Sequence, residues 1–166
     1  MTIPDQNTVH LFAATLPERG ALLGLDPGTK TIGIAVSDAT RLIATGTETI
    51  QRKKFKADGA RLLELIDDTQ AVGIVIGLPL NMDGSEGPRA QSVRAFARNL
   101  SALTDLPLLF WDERLTTAQA ERTLLEADTS RKRRAEVIDQ LAATIILQAV
   151  LDRLKFLDKN SESPGP

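Results

Sequence analysis

The spacing of apolar and polar positions changes several times along the chain, and each change marks a new element. ALLGLD (21–26) is a short apolar run, the pattern of a buried strand. TIGIAVSD (31–38) is β-branched and alternating, predicting a second strand after a Pro-Gly-Thr-Lys turn. LIATGTETI (42–50) predicts a third, and strands this close in sequence form an antiparallel meander. The period then becomes helical. Ala60, Leu62, Leu63, Leu65 and Ile66 make one stripe, ended by Asp67, Asp68 and Thr69. AVGIVIG (71–77) reads as a strand buried on both faces. The loop LPLNMDGSEG follows, and Pro88 suits the first position of a helix whose inward face is Val93, Phe96, Ala97 and Leu100. PLLFWDE (107–113) predicts a fifth strand. Thr116 and Gln119 fit a capping box that opens a helix near residue 117. RKRRAEVIDQ begins the last helix, with Ile138, Leu141, Ala142, Ile145, Ile146, Ala149 and Leu154 at helical spacing.

The order is three strands, helix, strand, helix, strand, then helices. Alternating strands and helices imply parallel pairing with right-handed crossovers. The expected fold class is therefore α/β. It is a mixed five-stranded sheet, a three-stranded antiparallel meander plus two parallel strands, flanked by helices. In such sheets, sites form beyond the carboxyl ends of the strands. Residues 1–20, with Pro4, Pro17 and Gly20, read as an irregular extension. The ordered domain is expected over 21–157, and the polar stretch 158–166 reads as a disordered tail.

Composition narrows the chemistry. The chain has 166 residues, enough for one domain, and a net charge of −2 that does not by itself mark a nucleic-acid binder. It has no cysteine, which excludes disulfides and thiolate metal sites, and its single histidine is His10. Acid–base or metal chemistry would thus fall to carboxylates. No apolar run reaches the length of a membrane span, so the expectation is a cytoplasmic protein with no membrane partner.

Three acids stand where chemistry is expected. Asp26 ends the first strand, although Asp-Pro-Gly is also an ordinary turn. Glu113 ends the fifth strand, with Asp112 competing for the same role. Asp139 lies between Ile138 and Leu141 in an apolar helix, with Glu136 one turn earlier. Carboxylates that converge repel unless a cation lies between them, and oxygen-only ligands suit Mg²⁺ or Mn²⁺. Such ions support in-line attack on a phosphodiester. Gly28, Thr29 and Lys30 form a turn able to hold a phosphate, without the spacing of a P-loop. Basic residues cluster at Arg52, Lys53, Lys54 and Lys56, along Arg89, Arg94 and Arg98, and at Arg131, Lys132, Arg133 and Arg134. Near an acidic site they would hold flanking phosphates, whereas elsewhere they are a solvated face. Asn81, Asp83, Ser85 and Glu86 make a polar loop suited to substrate contacts, and Trp111 is core or a stacking platform.

Four stretches, LGLDPGTKTIGIAVSD, VIGLPLNMDGSEGPRAQ, DERLTT and KRRAEVIDQLAA, together resemble the YqgF family. That family is described as pre-16S ribosomal RNA nucleases and as Holliday-junction-resolvase-like proteins. The matched region runs from about Ala21 to Asp152. The resemblance implies an RNase H-like fold and selects Asp26, Glu113 and Asp139 as catalytic metal ligands, favouring Glu113 over Asp112 and Asp139 over Glu136. It implies a nuclease acting on structured RNA, with a ribosomal precursor particle as a candidate partner. The alternative is a Holliday junction resolvase on branched DNA. Lys30 and Arg114 would help neutralise phosphate, and the chain would act as a monomer or homodimer. Two further readings compete. GLDPGTKTIGIAV also looks like the first phosphate motif of actin-like ATPases and sugar kinases, which use two such domains around a nucleotide. A non-catalytic RNA- or ribosome-binding factor is the last, and three bare acids speak against it.

Overall fold

The computed structural model describes residues 6–116 and 131–161, with side chains described over 8–116 and 140–159. The elements are α1 (Gln6–Thr15), β1 (Leu22–Pro27), β2 (Thr31–Ser37), β3 (Ala44–Gln51), α2 (Phe55–Thr69), β4 (Gly73–Leu78), α3 (Pro88–Ser101) and β5 (Leu108–Asp112). A one-turn 3₁₀ helix (Glu113–Leu115) and the long α4 (Arg131–Ser161) complete them. The five strands lie in the order β3-β2-β1-β4-β5. β1, β2 and β3 pair antiparallel, whereas β4 pairs parallel with both β1 and β5. This is the mixed α/β sheet expected from the hydrophobic pattern. The carboxyl ends of β1, β3, β4 and β5 therefore share one edge of the sheet.

Strand alternation builds a core on each face. Leu23, Leu25, Ile32, Ile34, Ile74 and Ile76 pack under α2 and α3. Leu22, Ala35, Val75 and Leu109 face α1 and α4, where Val9, Phe12, Ile146, Leu147 and Val150 are buried. α4 lies close against the sheet because small residues admit it. A Cβ on Gly24 would stand 2.8 Å from Leu147 Cβ. α2 closes on Gln70, which adopts a left-handed φ of 54° and donates its N–H to Asp67 O. Pro88 occupies the start of α3 after Gly87.

Two expectations are corrected. Residues 1–20 are not irregular throughout, because Gln6–Thr15 is a helix with Val9 and Phe12 in the core. The last helix runs to Ser161, past the boundary drawn at Asp158, because Leu151, Leu154 and Leu157 continue its apolar stripe. The helix expected near residue 117 lies outside the described residues. Thr116 closes the 3₁₀ turn, its hydroxyl donating to Glu113 O at 3.0 Å.

Candidate active site

Asp26 stands on the α4 face of β1, two residues beyond Gly24, and is only 2% exposed. Leu25 pairs with Ile76, so the parallel register sets Asp26 beside Gly77 of the neighbouring strand, about 4.8 Å away. Glu113, 8% exposed, follows β5 and folds back over that glycine. A Cβ on Gly77 would meet Glu113 Oε1 at 2.9 Å and Ile146 Cδ1 at 2.6 Å. The missing side chain at 77 is thus a cradle for the Glu113 carboxylate. Two buried carboxylates lie over adjacent strands on one face.

The backbone of Asp139 reaches the same end. Ala44 N donates to Gln148 Oε1 at 2.9 Å, and Gln140 Nε2 donates to Thr49 Oγ1 at 3.1 Å, so α4 descends as β3 ascends. β1 runs in the same direction as β3, since each is antiparallel to β2. Ala143 O lies 3.3 Å from where a Gly24 Cβ would be, and Asp139 is one turn earlier, toward Asp26. The side chain of Asp139 lies outside the described residues. So do those of Lys132, Arg133 and Arg134, whose backbone forms the first turn of α4. Among the described residues, no group of three or more His, Cys, Asp or Glu gathers to hold a metal. The pair that is described suits a hard cation in its all-oxygen donors and in the room Gly77 leaves for one of them.

Beside Glu113 opens a cleft of about 220 Å³, lined also by Leu80, Asn81, Gly87, Arg89 and Arg114. Asn81 shapes its loop, accepting from Gly84 N at 2.9 Å and donating to Ser85 Oγ at 3.0 Å. Arg114 is held side-on by Asp112, with Nη2 2.7 Å from Oδ2 and Nε 3.1 Å from both oxygens. Its Nη1 donates to Met82 O at 3.1 Å. Asp112 is thereby the partner of Arg114, and hydrogen bonding to it raises the guanidinium pKa above its ordinary value.

At the other flank, Gly28 N donates to Thr31 O at 2.8 Å, leaving Thr29 and Lys30 exposed at the tip of the β1–β2 turn. Arg52 is no solvated cation. Its guanidinium donates to Gly28 O and lies 5.5 Å from the Phe96 ring centroid. Lys53, Lys54 and Lys56 are exposed just beyond β3. Arg94 likewise pairs with Glu86 and lies over Phe110, 5.0 Å from the ring centroid. Trp111 is core packing. Sequence reasoning missed Gly77, although an isolated glycine within a β-branched strand signals a close approach. It also placed Arg89 only on a helix face, and the structure puts it in the cleft wall.

A mixed sheet in this strand order, with a long final helix across one face, is the RNase H-like fold. Thermus thermophilus RuvC, solved with a Holliday junction substrate, superposes with a TM-score of 0.50 at 13% identity, covering 82% of this chain and 96% of that one. The yeast mitochondrial Holliday junction resolvase Ydc2 gives 0.51 at 12% identity, covering 92% and 88%. The family described as "RuvX: Holliday junction resolvase" matches residues 20–153, and the chain belongs to it. A Paracoccus denitrificans protein named "Putative pre-16S rRNA nuclease" is 64% identical over 151 residues, 91% of this chain and 96% of the relative. A Ruegeria relative with the same name is 66% identical over 146 residues, 88% of this chain and 93% of its own. These findings bear out the family read from the four motifs.

Proposed function

We propose that this chain is a divalent-metal-dependent nuclease that hydrolyses phosphodiester bonds and processes the 5′ end of pre-16S ribosomal RNA in the cytoplasm. The observation that carries the reading is the pair of buried carboxylates, Asp26 and Glu113, over adjacent strands at the carboxyl edge of the sheet. Carboxylates that converge repel each other, and a cation between them offsets that repulsion. Asp26, Glu113 and Asp139 would hold Mg²⁺ or Mn²⁺, which when bound supplies a Lewis acid for the phosphoryl oxygens. The rest falls to the chain itself. The Gly77 cradle fixes the Glu113 carboxylate before substrate arrives, so none of its orientation must be established during reaction. Arg89 and Arg114 face the cleft, where they would orient a phosphate beside the scissile one. Asn81, the Gly28-Thr29-Lys30 turn, and Lys132, Arg133 and Arg134 would hold flanking phosphates.

The name carried by the relatives from Paracoccus and Ruegeria supports ribosomal RNA as substrate. The description of the family supports a second reading, resolution of four-way DNA junctions, which would require a homodimer presenting two sites. To separate them, pure protein is given precursor 16S RNA and, separately, a four-way DNA junction, with Mg²⁺, with Mn²⁺ and with chelator. The proposal expects metal-dependent cutting of the RNA that exceeds cutting of the junction. Faster cutting of the junction by a dimer selects the second reading. RNA bound but uncut under every condition would leave a non-catalytic binding factor.

A further inference from the structure

Exposed apolar side chains scattered singly are ordinary surface. Met82 is set apart by the loop that presents it. This loop follows β4 and walls the cleft beside Glu113. Three sets of polar ties hold it. Asn81 N donates to Ser85 O and Gly84 N to Asn81 O, both at 2.9 Å, which closes the tip on itself. Glu86 pairs with Arg94 on α3. Arg114 Nη1 donates to Met82 O at 3.1 Å. Gly84, at a φ of 89°, lets the loop lie over that guanidinium, since a Cβ there would stand 3.4 Å from Nη1. The tie to Arg114 runs through the Met82 carbonyl. The Met82 side chain, with the residue 86% exposed, is left for contacts outside the protein.

A nucleotide joins an anion to a flat ring with apolar faces, and the mouth of the cleft carries the matching pair. Among the described residues, Arg114 engages Nε and one hydrogen on each terminal nitrogen. A guanidinium carries two more, and these can meet a phosphate. The apolar partner for the ring is Met82, the residue whose carbonyl Arg114 already holds. Methionine suits that contact, because its unbranched thioether is polarisable and adapts to irregular surfaces. It is also among the side chains that insert between base steps.

We infer that Met82 is a substrate-positioning residue. With a phosphate on Arg114, its side chain lies against the ring of the adjoining nucleotide and parts that ring from the next base. The inference rests on the nuclease reading and adds to it the residue that holds the base side of the strand. Because the contact is with a ring face, it selects no particular base.

The test uses a short RNA spanning the mature 5′ end of 16S RNA, made with 2-aminopurine at successive positions. The fluorescence of this base rises when it leaves the stack. Each probe is titrated in Mg²⁺ against the Asp26→Asn protein, so that cleavage adds nothing to the signal. Met82→Ala, Met82→Leu and Ile43→Ala are each placed in that background. Ile43 is 65% exposed before β3, at the end of the sheet away from the site, and controls for loss of exposed apolar surface. One probe position should brighten on binding, and Met82→Leu and Ile43→Ala should keep that signal. Met82→Ala should lose it, bind roughly tenfold more weakly and melt at the same temperature as its parent. Brightening that survives in Met82→Ala, or binding with no position that brightens, overturns the inference. Cutting of the same RNA by the natural chain is followed separately. RNA that brightens but is never cut overturns the nuclease reading and leaves the base contact standing. No binding at all overturns both.

Discussion

Replacing Gly77 with alanine would set a methyl group 2.9 Å from Glu113 Oε1 and 2.6 Å from Ile146 Cδ1. Both clashes lie in packed interior, where overfilling costs about 1–3 kcal/mol. Gly77→Ala should therefore lower the melting temperature and reduce cleavage at least tenfold. The two effects separate in Gly77→Ala/Ile146→Val, which removes Cδ1 and leaves the Glu113 clash. We expect that variant to regain most of its stability and little of its activity. Recovery of both would show that Gly77 serves packing alone. Asp112 calls for a different experiment. It holds Arg114 through both carboxylate oxygens and also accepts Arg114 N at 2.9 Å. Asp112→Ala frees the guanidinium and loosens its contact with Met82 O. The expected result is a raised KM and faster amide exchange over residues 79–87. An unchanged exchange rate would contradict the tie between Arg114 and the loop. The roles of Asp112 and Glu113 were not separable from their spacing. Both acids are buried, and the structure separates them by what each meets, Arg114 for Asp112 and the Gly77 cradle for Glu113.

α1 is the element that the sequence disclosed least. Val9, Phe12, Ala13 and Leu16 do form one apolar face, but Pro4, Pro17 and Gly20 break up the surrounding chain. A helix of 10 residues has little stability alone and forms here because its apolar face packs with the sheet and α4. Arg41 fastens the segment, donating to Gly20 O at 2.8 Å and Pro17 O at 2.6 Å. Phe12→Ala should cost about 3 kcal/mol in denaturant unfolding. A loss below 0.5 kcal/mol would mean that α1 does not belong to the folded unit. The strands were far more legible, because β4 is buried throughout and β1 to β3 sit between clear turn signals. Alternation continued through β5 puts Trp111 and Glu113 on the α4 face. Legibility ended at tertiary closeness. The glycines at 24 and 77 admit α4, and periodicity alone does not report how near a helix lies.

On the scale of the whole molecule, surface carboxylates set the acid limb of stability. The Thr40 hydroxyl and the Ile43 and Leu42 amides hold Asp38 below the usual carboxylate range. Arg61 does the same for Glu48, Ser85 for Asp83 and Arg94 for Glu86. Folded-state values below the unfolded ones stabilise the protein above the unfolded pKa values, about 3.9 for Asp and 4.3 for Glu. That stability is lost as pH falls through the folded values. The melting temperature should therefore be insensitive to these groups between pH 5 and 7 and should drop steadily below about pH 4. A melting temperature that rises on acidification would contradict the assignment. On the proposed reading, Asp26 and Glu113 share one cation that cleavage requires. The most direct measurement is Mn²⁺ titration calorimetry and RNA cleavage on the natural chain, Asp26→Asn and Glu113→Gln in parallel. The account predicts folded variants that bind Mn²⁺ at least tenfold more weakly and cleave at least a hundredfold more slowly. Cleavage that persists in chelator, or in either variant at the natural rate, would contradict it.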